Sequence, residues 1–246
     1  MKEIFLSLFI ASFLFFIISA VPDEFFFPAV ALGTLALGLL IFRFIGNLEA
    51  LSFLLLSLAY VLIFPLEHVN TLYMQMGMGL FSLYFLWDKR DALLRGKEKR
   101  RLWRRALDGI LLFALMLVAG ITMNMALSLA GFNDSEKALD VVQGLPPYLL
   151  VAAFILVPVS EELFFRGLLI QAVGKYTGAW AGALVSSAIF GVTHASYGSV
   201  VEIIGAALLG MVLAAYYVRK GDLLPCIIAH TIFNFLSIFT IKVLMG

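Results

Sequence analysis

Glu161 and Glu162 stand side by side in Val159-Ser-Glu-Glu-Leu-Phe-Phe-Arg-Gly167, inside a long apolar stretch from Tyr148 to Val173. An ionisable side chain at the centre of a bilayer costs about 2.5–3.5 kcal/mol on insertion scales, so such groups face a bundle interior or a wet cavity. Residues four apart share a helix face, which lets Glu162 pair with Arg166. Glu161 is turned about 100° from Glu162 at 3.6 residues per turn. One carboxylate therefore has a cation beside it in sequence and the other has none. That division suits acid–base chemistry: a braced pair, and next to it a carboxylate able to take a proton. The bland alternative is that both glutamates mark the point where a helix leaves lipid.

Two further apolar stretches carry polar groups at the same spacing. Phe190-Gly-Val-Thr-His194 puts an aromatic ring and an imidazole on one helix face, and His230-Thr-Ile-Phe-Asn234 does the same with an imidazole and an amide. A carboxylate beside a neutral histidine can take a proton from water. A second histidine and an amide can donate hydrogen bonds to a developing oxyanion. Ser160, Thr193 and Thr231 are only sequence neighbours of these groups, and neighbours on a helix point apart, so activated water suits the parts better than a covalent nucleophile. Glu161, His194 and His230 also match a His2Glu zinc set with an open position, although the chain has no HExxH pattern; the spacing leaves a metal open.

The elements that must position these residues are membrane helices. The chain is 63% hydrophobic with a mean hydropathy of +1.04, against about 45–50% apolar residues in soluble domains. Nine apolar stretches are near the ~17–25 residues that span a bilayer: 4–21, 25–45, 50–66, 71–87, 107–131, 147–173, 179–195, 199–218 and 223–244. The expected fold is an all-α polytopic bundle of about eight or nine membrane helices with the site inside it. Residues 1–105 would supply about four N-terminal helices and a basic loop, and residues 106–246 the core that carries the motifs. The first stretch exceeds the apolar run of a signal peptide and reads as a retained anchor. The single cysteine, Cys226, excludes an intrachain disulfide. There is no Gly-rich phosphate loop, no CxxC pair and no nucleic-acid-binding pattern.

Lys and Arg in short loops set orientation. Residues 88–105 hold Lys89, Arg90, Arg95, Lys97, Lys99, Arg100, Arg101, Arg104 and Arg105, which places this loop and the N-terminus in the cytoplasm. Lys175 and Arg219-Lys220 fall on the same side, while Asp134, Glu136, Asp140 and the C-terminus fall outside. Gly174-Lys-Tyr-Thr-Gly178 turns the sixth stretch back on the seventh. Measured from that turn, Glu161 and His194 lie at about 21 and 24 Å, nearly equal heights. His230 is about 14 Å past Gly221, near enough for a tilted helix to bring it to them. The cavity so formed is expected to open toward the cytoplasm. Pro158 removes a backbone donor one turn before the glutamates and can kink the helix there.

Glu161-Glu162-x3-Arg166, Phe190-x3-His194 and His230-x3-Asn234, in this order and each on an apolar helix, resemble the motif set of the CAAX protease and bacteriocin-processing (CPBP, or Abi) family, nearest its type II CAAX prenyl endopeptidase branch. The resemblance covers residues 146–240. It implies an intramembrane, glutamate-type endopeptidase without a metal, acting on a prenylated or other membrane-associated protein. It implies that Glu161 and His194 activate water, that His230 and Asn234 hold the oxyanion, and that Glu162 and Arg166 brace the site. The rival classes are a proton- or ion-coupled carrier and a catalytically silent immunity or scaffold protein. Carriers show matching broken helices in two halves, whereas here the polar motifs all lie in the last hundred residues.

Overall fold

Among the described residues every regular element is helical. The computed structural model describes residues 101–134, 136–144, 150 and 152–244, with 78–80, 82, 83 and 86 upstream. The expected spans 4–21, 25–45 and 50–66, most of 71–87 and the loop residues 88–100 lie outside the described residues. The chain divides into two units, Met1–Trp87 and Asp88–Gly246, and the motif residues all belong to the second.

Helix α1 is Leu102–Leu129. Its 28 residues rise about 42 Å, longer than the ~30 Å hydrocarbon core. Leu107, Leu111, Leu115, Val118 and Met125 are exposed, as suits a lipid-facing surface. Its buried residues are Arg105, Gly109, Leu112 and Met116, the i, i+4, i+7, i+11 stripe of a helix packed on one side. Arg105 was expected in the basic loop, but α1 begins before it. Its place on the inward stripe buries it, and its guanidinium grips Asp222 through Nε at 2.7 Å and Nη2 at 2.6 Å.

A short helix α2, Glu136–Gly144, follows. Helix α3 is a continuous run of four stretches, Ala152–Leu156, Val157–Glu161, Glu162–Leu169 and Ile170–Thr177. The first and third are π-helical. Pro158 falls in the short α-helical stretch between them, so the helix absorbs the lost donor by widening its turns on either side. π-Turns of this kind occur mostly as local insertions in α-helices, often at functional sites. Gly178, at φ +89°, makes the turn into α4, Ala179–Thr193. A 3₁₀ turn, His194–Tyr197, leads to α5, Val200–Lys220, and α6 is Leu223–Phe239. Leu102–Leu129, Val200–Lys220 and Leu223–Lys242 are long and apolar enough to cross a membrane; Ala179–Thr193 is a shorter apolar helix.

Helices α4 and α5 pack backbone to backbone. A β-carbon on Gly191 would come 2.6 Å from the Ile203 carbonyl oxygen, so only glycine permits this approach. The bundle has two distinct ends. At one, Arg105 pairs with Asp222 and the Arg219 guanidinium lies 5.5 Å from the centroid of the Trp180 ring. At the other, the Asp134 carboxylate accepts hydrogen bonds from the Val200 and Val201 N–H groups at 2.7 and 3.1 Å and from the Ser199 hydroxyl at 3.0 Å. Lys137 donates there to the Gly198 carbonyl at 3.1 Å.

Candidate active site

The Glu162–Arg166 pair forms as the four-residue spacing requires. Arg166 Nη1 donates to Glu162 Oε1 at 2.7 Å, and both side chains are fully buried. The rest of the guanidinium is engaged too: Nη2 donates to the Gly210 carbonyl at 3.0 Å, and the cation lies 4.7 Å from the centroid of the Phe190 ring. A β-carbon on Gly210 would sit 2.9 Å from Phe190 and 3.3 Å from Arg166, so α5 must present glycine here for the guanidinium to fit. The Ser186 hydroxyl donates to the Phe165 carbonyl at 2.8 Å and ties α4 to the π-helical part of α3.

His230 reaches this pair from α6. Its Nδ1 is 2.8 Å from Glu162 Oε1 and its Nε2 is 3.6 Å from Glu161 Oε2. A carboxylate only accepts, so Nδ1 carries the proton toward Glu162, and Nε2 faces Glu161. One oxygen of Glu162 thus accepts from both a guanidinium and an imidazole. The other, Oε2, is buried without a hydrogen-bond partner. Glu161 is 4% exposed and His230 6%, so carboxyl and imidazole meet away from bulk water.

Phe190 lies between the two histidines, its ring 4.8 Å from His194 and 5.9 Å from His230. His194 is not within α4, as the expected stretch 179–195 implied. It follows the last helical residue, because the helix ends there in the 3₁₀ turn. Its Nδ1 lies 2.8 Å from the Phe190 carbonyl, a bond that makes Nδ1 the donor and leaves Nε2 as the basic nitrogen of the neutral ring. The Thr193 hydroxyl also donates to that carbonyl, at 2.7 Å; its oxygen is 3.5 Å from His194 Nδ1, the ring nitrogen that already carries a proton and so cannot take the hydroxyl's. Asn234 is half-buried, and its amide donates to the Ala153 carbonyl at 3.4 Å. Three expected positions (Glu161, Glu162 and Arg166) therefore share one cluster with His230. His194 adjoins the cluster through Phe190, and Asn234 adjoins it on α6.

Two residues absent from the sequence reading belong to this region. The Tyr197 ring stacks on His194 at 5.8 Å with 19° between planes. Burial, then the charges of Glu202 and Glu161, push the Tyr197 phenol up to about 12. Glu202, in the first turn of α5, interacts electrostatically with His194. Ser199-Val-Val-Glu202 is a capping-box pattern, the sequence signal that could have marked the start of α5. Only its forward half forms, with Ser199 Oγ accepting from the Glu202 N–H at 3.1 Å.

The His194–Tyr197 turn lies at the Asp134 end of the bundle, opposite the end that holds Arg105, Trp180 and Arg219. Helix α4 starts at the basic end, so the residue that follows its last turn must emerge at the other. Among the described residues no group of three or more His, Cys, Asp or Glu side chains is placed to hold a metal ion.

A carboxylate and an imidazole from different helices, buried beside an arginine-braced second carboxylate, are the parts of the three-motif pattern brought together. Residues 143–236 match the Rce1-like family, described as type II CAAX prenyl endopeptidase. The Rce1-like stretch contains every motif residue from Glu161 to Asn234. Among curated relatives, the chain is 30% identical over 189 residues to the Bacillus subtilis (strain 168) protein named "Uncharacterized protein YyaK", across 71% of this chain and 60% of that one. It is 29% identical over 102 residues to the same organism's "Putative membrane peptidase YdiL", across 42% of this chain and 40% of that one. An Escherichia coli protein named "Uncharacterized 24.3 kDa protein" is 31% identical over 83 residues, across 33% of this chain and 38% of that one. The chain thus spans less than two thirds of the length of each of these relatives. No solved structure matches it.

Proposed function

We propose that this membrane protein is an intramembrane endopeptidase. It hydrolyses a peptide bond near the C-terminus of a prenylated (CaaX-type) or other membrane-associated protein, using water held inside the bundle. The observation that carries this reading is the buried contact of His230 with both Glu161 and Glu162, inside the stretch that matches the Rce1-like family.

Glu161, assisted by His194, takes a proton from water as the water oxygen bonds to the scissile carbonyl carbon. The carbonyl electron pair moves onto oxygen, where His230 and Asn234 stabilise the charge. Re-forming the carbonyl breaks the carbon–nitrogen bond, and the proton held by Glu161 passes to the leaving amine. Glu162 and Arg166 fix His230 and do not touch the substrate. No step is routed through a metal or another cofactor. The lipid bilayer surrounds the bundle, the N-terminus and residues 88–105 lie in the cytoplasm, and the C-terminus lies outside.

The test is cleavage of a farnesylated CaaX peptide by purified protein in detergent, with and without a strong chelator. Loss of the last three residues in both arms is the expected result. Cleavage that stops with chelator and returns with zinc would move Glu161, His194 and His230 into a metal shell. Absence of cleavage in both arms would remove the prenylated substrate from the proposal.

A further inference from the structure

His230 and Asn234, the oxyanion donors of the mechanism above, are both engaged by other groups in the observed arrangement. His230 Nδ1 is committed to Glu162 Oε1 at 2.8 Å, so His230 reaches the oxyanion through Nε2 alone, once that nitrogen carries a proton. The Asn234 amide is turned toward the Ala153 carbonyl. A third donor near Glu161 would complete the site, and the turn after α4 supplies one.

Tyr197 shares its turn with His194, and that turn is anchored on both flanks. Upstream, His194 Nδ1 is bonded to the Phe190 carbonyl. Downstream, Gly198 takes a left-handed φ of +69°, the Lys137 ammonium holds its carbonyl, and Asp134 holds Ser199. A side chain on such a turn keeps its position, which a transition-state donor requires. The Tyr197 ring is fixed further by its stack on His194. Among the described residues its hydroxyl makes no hydrogen bond, and it lies within electrostatic reach of Glu161 and Glu202. A phenol kept protonated first by its burial can donate at any working pH.

We propose that Tyr197 is a further catalytic residue, whose hydroxyl donates a hydrogen bond to the oxyanion formed when water attacks between Glu161 and His194. This rests on the peptidase reading above. The titratable and charged groups around Tyr197 are His194 on its own turn, Glu161 on α3, Glu202 on α5 and, beyond Gly198, Lys137 on α2.

The experiment is Tyr197→Phe, assayed with the peptide that the wild type cleaves and with the matching peptidyl aldehyde, which adds water to give a tetrahedral gem-diol resembling the intermediate. Phe keeps the stack on His194 and removes only the hydroxyl. The expected result is a fall of about 100-fold in kcat, the scale of losing one oxyanion donor, with KM and the melting temperature unchanged. Aldehyde affinity should drop while affinity for the corresponding peptidyl alcohol holds. Wild-type kcat in Tyr197→Phe overturns the proposal and leaves the peptidase reading standing. A wild-type protein that neither cleaves the peptide nor binds the aldehyde overturns both. Should the Phe variant misfold, 3,5-difluorotyrosine at position 197 keeps ring and hydroxyl but makes the phenol more acidic. The alkaline limb of kcat should then move to lower pH, and an unmoved limb overturns the proposal.

Discussion

At the residue scale, the two adjacent glutamates have different surroundings and should fail in different ways when changed. Glu162 is fixed by Arg166 Nη1 at 2.7 Å and His230 Nδ1 at 2.8 Å, whereas Glu161 lies farther from the imidazole, 3.6 Å from its other nitrogen. Glu161→Gln keeps shape and volume, so it should abolish peptide hydrolysis while leaving the melting curve where it is. Full activity in that variant would sink the water mechanism. Arg166→Ala is a different experiment, because it removes the cation from a buried pair and leaves the Glu162 carboxyl buried without it. Breaking such a pair typically costs about 3–5 kcal/mol. The variant should therefore melt far lower as well as lose activity, and thermal unfolding in detergent followed by circular dichroism would show it. An unchanged transition would mean that water reaches the pair.

At the element scale, helix ends and close approaches place the site. Asp134 caps α5 from a distant loop, and the Val200 N–H bond is the largest cause that lowers its carboxyl below the usual aspartate value. A depressed folded-state value means stability that is fully present above the usual aspartate range and lost as pH falls through the lowered one. Melting temperatures of wild type and Asp134→Ala should therefore differ at neutral pH and converge in acid. A gap that persists at acid pH would assign the effect to packing instead of charge. Gly210→Val should fail at the same neighbours named above: its side chain would displace Phe190 and Arg166, lowering both stability and activity. The apolar spans after residue 106 were legible in sequence from length and hydropathy, and the four-residue spacings placed Glu162 on Arg166 and Phe190 beside His194. The π-helical stretches of α3 were not legible, since Pro158 marks a lost donor but not how the chain compensates. Tyr197 and Glu202 were missed because their roles depend on a turn held by Asp134, more than sixty residues upstream. Arg105 was misplaced because a charge count cannot tell a loop arginine from one whose helix turns it inward onto Asp222.

At the scale of the whole molecule, the bundle's charge asymmetry and the position of the site pull toward different substrates. Arg101, Arg104, Lys175, Arg219 and Lys220 gather at the end opposite the His194–Tyr197 turn, where Asp134, Glu136 and Asp140 lie. Basic loops stay in the cytoplasm, so the turn that carries His194 and Tyr197 should face outside, and the site would be served from that face. A prenylated CaaX tail made in the cytoplasm would need the opposite orientation. Single cysteines decide between them: Tyr176→Cys at the basic end and Gly131→Cys at the other, in a Cys226→Ser background, treated in intact cells with a membrane-impermeant maleimide. Positions 176 and 131 are exposed, whereas Cys226 is buried. The charge rule predicts labelling at position 131 before permeabilisation and at 176 only after it. That pattern would favour a membrane-associated substrate presented from outside over a cytoplasmic prenylated one. The reverse pattern would put the Glu161–His230 cluster within reach of a cytoplasmic tail, and the packing of α1 against α6 through Arg105 and Asp222 would then have outweighed the loop charges in setting orientation.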